Sequence, residues 1–183
     1  MSAQGHTPTD TARAPRGLTL RTPRGLTLRV AALGLAGGMR SMAPAAMLAL
    51  SHGDAPSTAP WTRWPVLRSA GGRRVLALLG AGELIGDKLP GIPSRLQMPA
   101  LIGRVAIVTV SAAALGSEYG GKGRVVWAII VGAAAALAGN VLFAGARTEA
   151  VARTKLPDPV VAAVEDAACI GLLCGVARTR PTP

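Results

Sequence analysis

Long apolar runs of this chain carry ionisable residues, and those residues are where its chemistry has to be sought. Arg40 falls within Val30–Leu50, Glu83 within Val75–Gly86, Arg104 within Pro99–Gly116, and Glu165 with Asp166 within Pro159–Ala177. Asp87, Lys88, Arg95 and Arg147 lie just outside such runs, and Asn140 is the one strongly polar residue of Val125–Ala146. At lipid depth an unpaired charge costs about 2.5–3.5 kcal/mol on insertion scales, so these groups must pair or face water. The signs nearly balance, with Arg40 and Arg104 set against Glu83, Glu165 and Asp166. One chemistry that suits them is a polar centre for an ion, a proton or a small polar solute. The other is a network of structural pairs that fixes helix register. Glu83 and Asp87 are four apart and share a helix face, whereas the adjacent Glu165 and Asp166 point about 100° apart and serve different neighbours.

Other chemistries find less support. Gly80-Ala-Gly82-Glu-Leu-Ile-Gly86 resembles a dinucleotide-binding turn, but Asp87-Lys-Leu-Pro90 ends the segment before a helix can hold a pyrophosphate. Ser41 and Ser111 have no neighbouring His to activate them. Cys169 and Cys174 are five apart, which is neither a redox nor a zinc spacing, and His6 and His52 have no second ligand nearby. No enzyme, cofactor or metal site is expected. An enzyme acting on lipid would rest on clustered acids alone.

The composition sets these residues in a membrane. The 183 residues are 50% hydrophobic and only 16% charged, against about 25% charged in ordinary soluble domains. A net charge of +11 would suit nucleic acid, but the basic residues are mostly in a leader and loops, and no nucleic-acid partner is expected. A helix needs about 20 residues to cross a bilayer, so four of the five runs are long enough, and the 12-residue Val75–Gly86 reads as short, tilted or re-entrant. Ala dominates and strand-like alternation is absent, which disfavours a barrel. The expected fold is all-α: a polytopic membrane bundle of four to six helices, one of them short or broken, over residues 30–177. A disordered basic leader is expected over 1–29, with its tandem Pro-Arg-Gly-Leu-Thr-Leu-Arg repeat, and a short polar tail over 178–183. Gly34/Gly38, Gly82/Gly86 and Gly171/Gly175 are candidate close-packing pairs. Trp61, Trp64 and Trp127 stand at segment edges, as interfacial indoles do.

If all five runs cross, Lys and Arg divide ten against eight, and the N-terminus is placed in the cytoplasm by a narrow margin. Gly38-Met-Arg40-Ser41 is echoed by Gly145-Ala-Arg147-Thr148, and Lys88-Leu-Pro90 by Lys155-Leu-Pro157. Arg40 and Pro44 in the first run suit a broken helix, and the echo would suit an inverted repeat.

Three blocks together are distinctive: Gly34-Leu-Ala-Gly-Gly-Met-Arg40-Ser-Met-Ala-Pro44; Gly82-Glu-Leu-Ile-Gly-Asp87-Lys-Leu-Pro90 with Pro93-Ser-Arg95; and Leu156-Pro-Asp-Pro159 with Val164-Glu-Asp166. From about Val30 to Ala177 the chain resembles small bacterial multi-pass membrane proteins grouped as domain of unknown function 4126. The resemblance implies an integral protein of a bacterial cytoplasmic membrane and carries no substrate or site assignment. Transporter-like or channel-like activity on an ion or small polar solute is one reading. A non-transporting scaffold or assembly subunit is the other. The bilayer is the expected partner in both, and self-association or binding to other membrane proteins is open to such Gly-lined helices.

Overall fold

The computed structural model describes residues 24–56, 58–86, 98–154 and 157–179. Regular structure among them is helical throughout: α1 (Arg24–Met39), α2 (Ala43–Leu50), α3 (Pro65–Arg68), α4 (Ala70–Gly86), α5 (Met98–Glu118), α6 (Lys122–Thr154) and α7 (Asp158–Arg178). Three of these, α5, α6 and α7, are long and apolar enough to cross a membrane. The four-residue α3 is a single turn in the α2–α4 connection. The 12-residue apolar run is extended at its start to the 17 residues of α4. The basic segment expected to run to Arg29 is helical from Arg24, and residues 1–23 lie outside the described residues.

Small residues set the core. A Cβ added at Gly34 would stand 2.6 Å from Ala135 Cβ, and one at Gly38 would stand 2.6 Å from the Asn140 backbone nitrogen. Gly132 meets Ala112 and Gly116 meets Ala128 in the same way, at 2.7 and 2.8 Å. Backbones this close are what a bundle poor in Phe and Tyr needs, since dispersion contacts replace the hydrophobic drive that is absent between helices in lipid. Of the three glycine pairs expected at helix contacts, only Gly34/Gly38 is one. Gly82, Gly86, Gly171 and Gly175 have nothing within 4 Å of an added Cβ.

The contacts also give the directions of the helices. Trp127 donates to Thr27, Gly34 meets Ala135 and Gly38 meets Asn140, so α1 and α6 run parallel. The echoed arginine blocks therefore ride on parallel helices and do not relate oppositely oriented halves. The second echo lies partly outside the described residues. Arg104 of α5 meets Gly38 while Glu118 meets Arg29, and Asp166 of α7 meets Arg40 while Val176 meets Arg29, so α5 and α7 run against α1.

The first apolar run is not one crossing. Pro44 packs back on Gly37, and Met47 and Leu48 border one cavity with Arg29, Trp61 and Glu118. α2, eight residues or about 12 Å long, covers about half of the return along the 16-residue α1, and the connection after it completes the return at Trp61, which meets Glu118 at the end of α5. Arg24–Leu50 is thus a helical hairpin turning at Arg40–Met42. The turn lies six residues along α5 from Met98, at Arg104, or about 9 Å in from that end of the helix at 1.5 Å per residue. α4 then runs against α2, bringing Glu83 to the hairpin turn and Gly80 against Ala46. Trp61 is not an interfacial indole: it is 2% exposed and donates to Glu118 Oε1 at 2.9 Å.

Two measurements test this arrangement. In a cysteine-free background, Arg24→Cys and Thr58→Cys should react with an impermeant maleimide from one side of a sealed vesicle, and Thr154→Cys from the other. Opposite labelling of residues 24 and 58 would restore a full crossing. Gly38→Ala should lower the melting temperature in detergent, since overpacking costs about 1–3 kcal/mol, whereas Gly171→Ala should leave it level or raise it.

Candidate functional site

A reversal of the chain among membrane helices creates a local problem. It leaves carbonyls at the end of α1 and N–H groups at the start of α2 without helical partners. In hydrocarbon each such group costs several kcal/mol if unsatisfied, and irregular backbone at that depth persists only where protein surrounds it. Two other helices supply charged partners for these groups, and a third supplies one for the Arg40 side chain.

Arg104 of α5 donates through Nη1 to the Gly38 carbonyl at 2.5 Å and the Met39 carbonyl at 3.4 Å. A cation thus sits at the negative end of α1. Glu83 of α4 takes the positive end of α2. Its Oε1 accepts from the Ser41 backbone N–H at 2.7 Å and the Ser41 hydroxyl at 2.6 Å, and its Oε2 accepts from the Met42 N–H at 2.7 Å. Both placements follow the sense of the helix dipoles. Between them, Arg40 Nε donates to Asp166 Oδ1 of α7 at 2.7 Å, and Nη2 lies 2.6 Å from the same oxygen. Arg40 is 1% exposed.

A second shell of polar groups extends along α6 and α7. Arg147 binds Asp158 at 2.6 Å and reaches Glu165 at 3.6 Å. Asn140 is buried, its backbone lies against Gly38, and its Oδ1 has no hydrogen-bond partner among the described residues. The adjacent acids divide as their helix angle requires, Asp166 toward Arg40 and Glu165 toward Arg147.

Of the residues singled out by sequence, Arg40, Glu83, Arg104 and Asp166 converge on the hairpin turn, with Asn140 against Gly38. Arg147 and Glu165 form the adjoining pair. Asp87, Lys88 and Arg95 lie outside the described residues, and with them the shared face of Glu83 and Asp87. Arg40 finds a carboxylate, that of Asp166. Arg104 reaches main-chain carbonyls, and Glu83 takes main-chain N–H groups.

A second buried ionic group escaped the sequence reading. Arg29 and Glu118 pair at 2.7 Å, and their side chains are 5% and 4% exposed. Arg29 Nε also donates to the Val176 carbonyl at 3.2 Å. Arg29 had been counted with the leader. The signal that would have found it is its helical spacing with Leu26, Val30 and Leu33, all buried. The two ionic layers are eleven residues apart on α1, about 16 Å, with Leu33, Ala36 and Val108 between.

Four cavities of about 410–630 Å³ open on the described surface, and none of the four is lined by Arg40, Glu83, Arg104, Glu165 or Asp166. Of the turn itself, Met42 lines one of them.

Apolar crossing helices around an ion-sealed hairpin define an integral membrane protein. Among families, the match is to domain of unknown function (DUF4126), over residues 28–178, and the chain belongs to that family. No curated protein and no solved structure matches it.

Removing one partner of a buried pair leaves a bare charge and typically costs about 3–5 kcal/mol. Asp166→Asn and Arg40→Met should therefore each cut the folded yield in detergent sharply. The swap Arg40→Asp with Asp166→Arg should recover part of it, and a double variant no better than either single would show that the pair is not the stabilising contact.

Proposed function

We propose that this protein is a small transporter-like or channel-like protein whose working element is the α1–α2 hairpin, and that the polar centre at Arg40–Met42 admits an ion or small polar solute. The observation that carries the reading is the hairpin turn itself. Its backbone groups and hydroxyl are held by Glu83 and Arg104 and the Arg40 side chain by Asp166, from three separate helices, so modest shifts of α4, α5 or α7 would expose donors and acceptors to a permeant species. Discontinuous helices in transporters use such ends in this way, N-termini toward anionic groups and carbonyl ends toward cations. A purely structural element would be made more cheaply by an unbroken apolar helix. No catalytic step is assigned to it.

The hairpin also bears on orientation. With both of its ends at one side, that side carries five Lys and Arg in residues 1–29, four in 51–74, and Lys122, Arg124, Arg178 and Arg180. The other carries Lys88, Arg95, Arg147, Arg153 and Lys155, making thirteen against five where five full crossings would divide ten against eight. This supports a cytoplasmic N-terminus in a bacterial cytoplasmic membrane.

A scaffold is the second reading, favoured by the absence of the turn's charged residues from the four cavity linings. Reconstituted vesicles decide between them. The transport reading expects flux of at least one small cation, anion or proton above protein-free vesicles. Glu83→Gln should change that flux tenfold or more with the fold retained, and the Arg40/Asp166 swap should refold without recovering it. No flux across the panel, together with a co-purifying stoichiometric partner, would establish the scaffold.

A further inference from the structure

The cavity nearest the Arg29–Glu118 pair differs in kind from the hairpin turn. It encloses about 430 Å³ at the end of the bundle where α5 and α7 finish, and its wall includes Arg29, Glu118, Trp61, Ser51, Asp54 and Arg178. Arg29 and Glu118 neutralise each other. Asp54 and Arg178 are exposed, and neither forms an ion pair among the described residues. The cavity therefore presents one uncommitted carboxylate and one uncommitted guanidinium from two separate elements, the α2–α3 connection and the end of α7.

A second cavity of about 470 Å³ adjoins it. The two share Met47, Ser51, Asp54, Cys174 and Ala177. From that common edge the second runs between α2, α4 and α7 past Ala46, Gly80 and Leu173 to Ala43, Leu84 and Ile170. Ala177 to Ile170 is seven residues of helix, about 10 Å of depth toward the bilayer centre. Its lining beyond the shared edge is wholly Ala, Gly, Leu and Ile. A charged compartment at the level of the helix ends thus adjoins an apolar groove that descends along α2, α4 and α7.

We propose that these joined cavities bind one glycerophospholipid of the surrounding leaflet, with a zwitterionic headgroup that carries a primary ammonium. The phosphodiester lies against Arg178 and the ammonium against Asp54, as charge-assisted hydrogen bonding requires, and an acyl chain follows the groove. The length of the groove along the membrane normal selects an amphiphile over a soluble ion. The presence of one free charge of each sign selects a zwitterion over an anionic lipid, which would leave Asp54 without a partner. The groove ends at Ala43 and Leu84, beside the hairpin turn, but its lining includes none of Arg40, Glu83, Arg104 and Asp166, and the proposal does not depend on what, if anything, passes through the turn.

Native mass spectrometry of the full chain in detergent tests this, using phosphatidylethanolamine and phosphatidylglycerol of identical acyl composition. The expected result is a single phosphatidylethanolamine adduct that forms at about tenfold lower lipid concentration than the phosphatidylglycerol adduct. Asp54→Asn should bring the two lipids within about twofold of each other. Arg178→Gln should weaken both about tenfold, losing the shared phosphate contact. Ala81→Phe, which fills the groove from an exposed position on α4, should weaken both while keeping the preference. Unchanged melting temperatures for Asp54→Asn and Arg178→Gln exclude misfolding as the cause. A ladder of several equivalent adducts, a preference for phosphatidylglycerol, or a preference that survives Asp54→Asn would overturn the proposal.

Discussion

A helix that turns back inside a membrane must find partners for the backbone groups that the turn releases, and this requirement organises the rest of the bundle. Water is not there to accept them, and the apolar side chains that make up most of this chain cannot. Carbonyls at the end of α1 need a donor and N–H groups at the start of α2 need an acceptor. Arg104 and Glu83 meet those needs from different helices. Charges that look costly in an apolar run are thus used where a neutral side chain would offer weaker hydrogen bonds.

The same requirement explains why α1 packs so closely on α6. Gly34 and Gly38 let the backbones approach until the turn is walled by Asn140 and Gly139, leaving little room for lipid beside the exposed peptide groups. Val108 and Pro44 fill the opposite flank at Gly37. Glycine at these positions follows from the lack of space for a Cβ between two backbones. Where helices face outward, as at Gly82 and Gly171, no such restriction operates.

Two ionic layers separated by an apolar one give the hairpin its ends. Arg29, Glu118 and Trp61 anchor it where α5 and α7 finish, and Arg40, Asp166, Glu83 and Arg104 hold its tip. Arg29 and Glu118 border a cavity and the four charged residues of the tip border none of the four, so the two sets of ions differ in access as well as in composition. That asymmetry separates a place where a ligand can enter directly from one that would have to be opened first.

Hydropathy along the chain was enough to establish a helical membrane protein, because the number of consecutive apolar residues decides whether a helix can cross and each residue contributes nearly independently. The residues of the polar centre were legible for the same reason, since Arg40, Glu83, Arg104 and Asp166 each interrupt such a run. The direction of α2 was not legible. It depends on three residues, Arg40 to Met42, whose backbone groups and side chains are satisfied by Glu83, 41 or 42 positions away, and by Asp166, 126 positions away. Nor was the choice between carboxylate and main-chain partners, because an arginine in an apolar run reads the same whether it meets an acid or a carbonyl. Arg29 was hidden by its polar neighbours, and its burial comes from Glu118 and Val176, which only the packing of α5 and α7 against α1 brings to it.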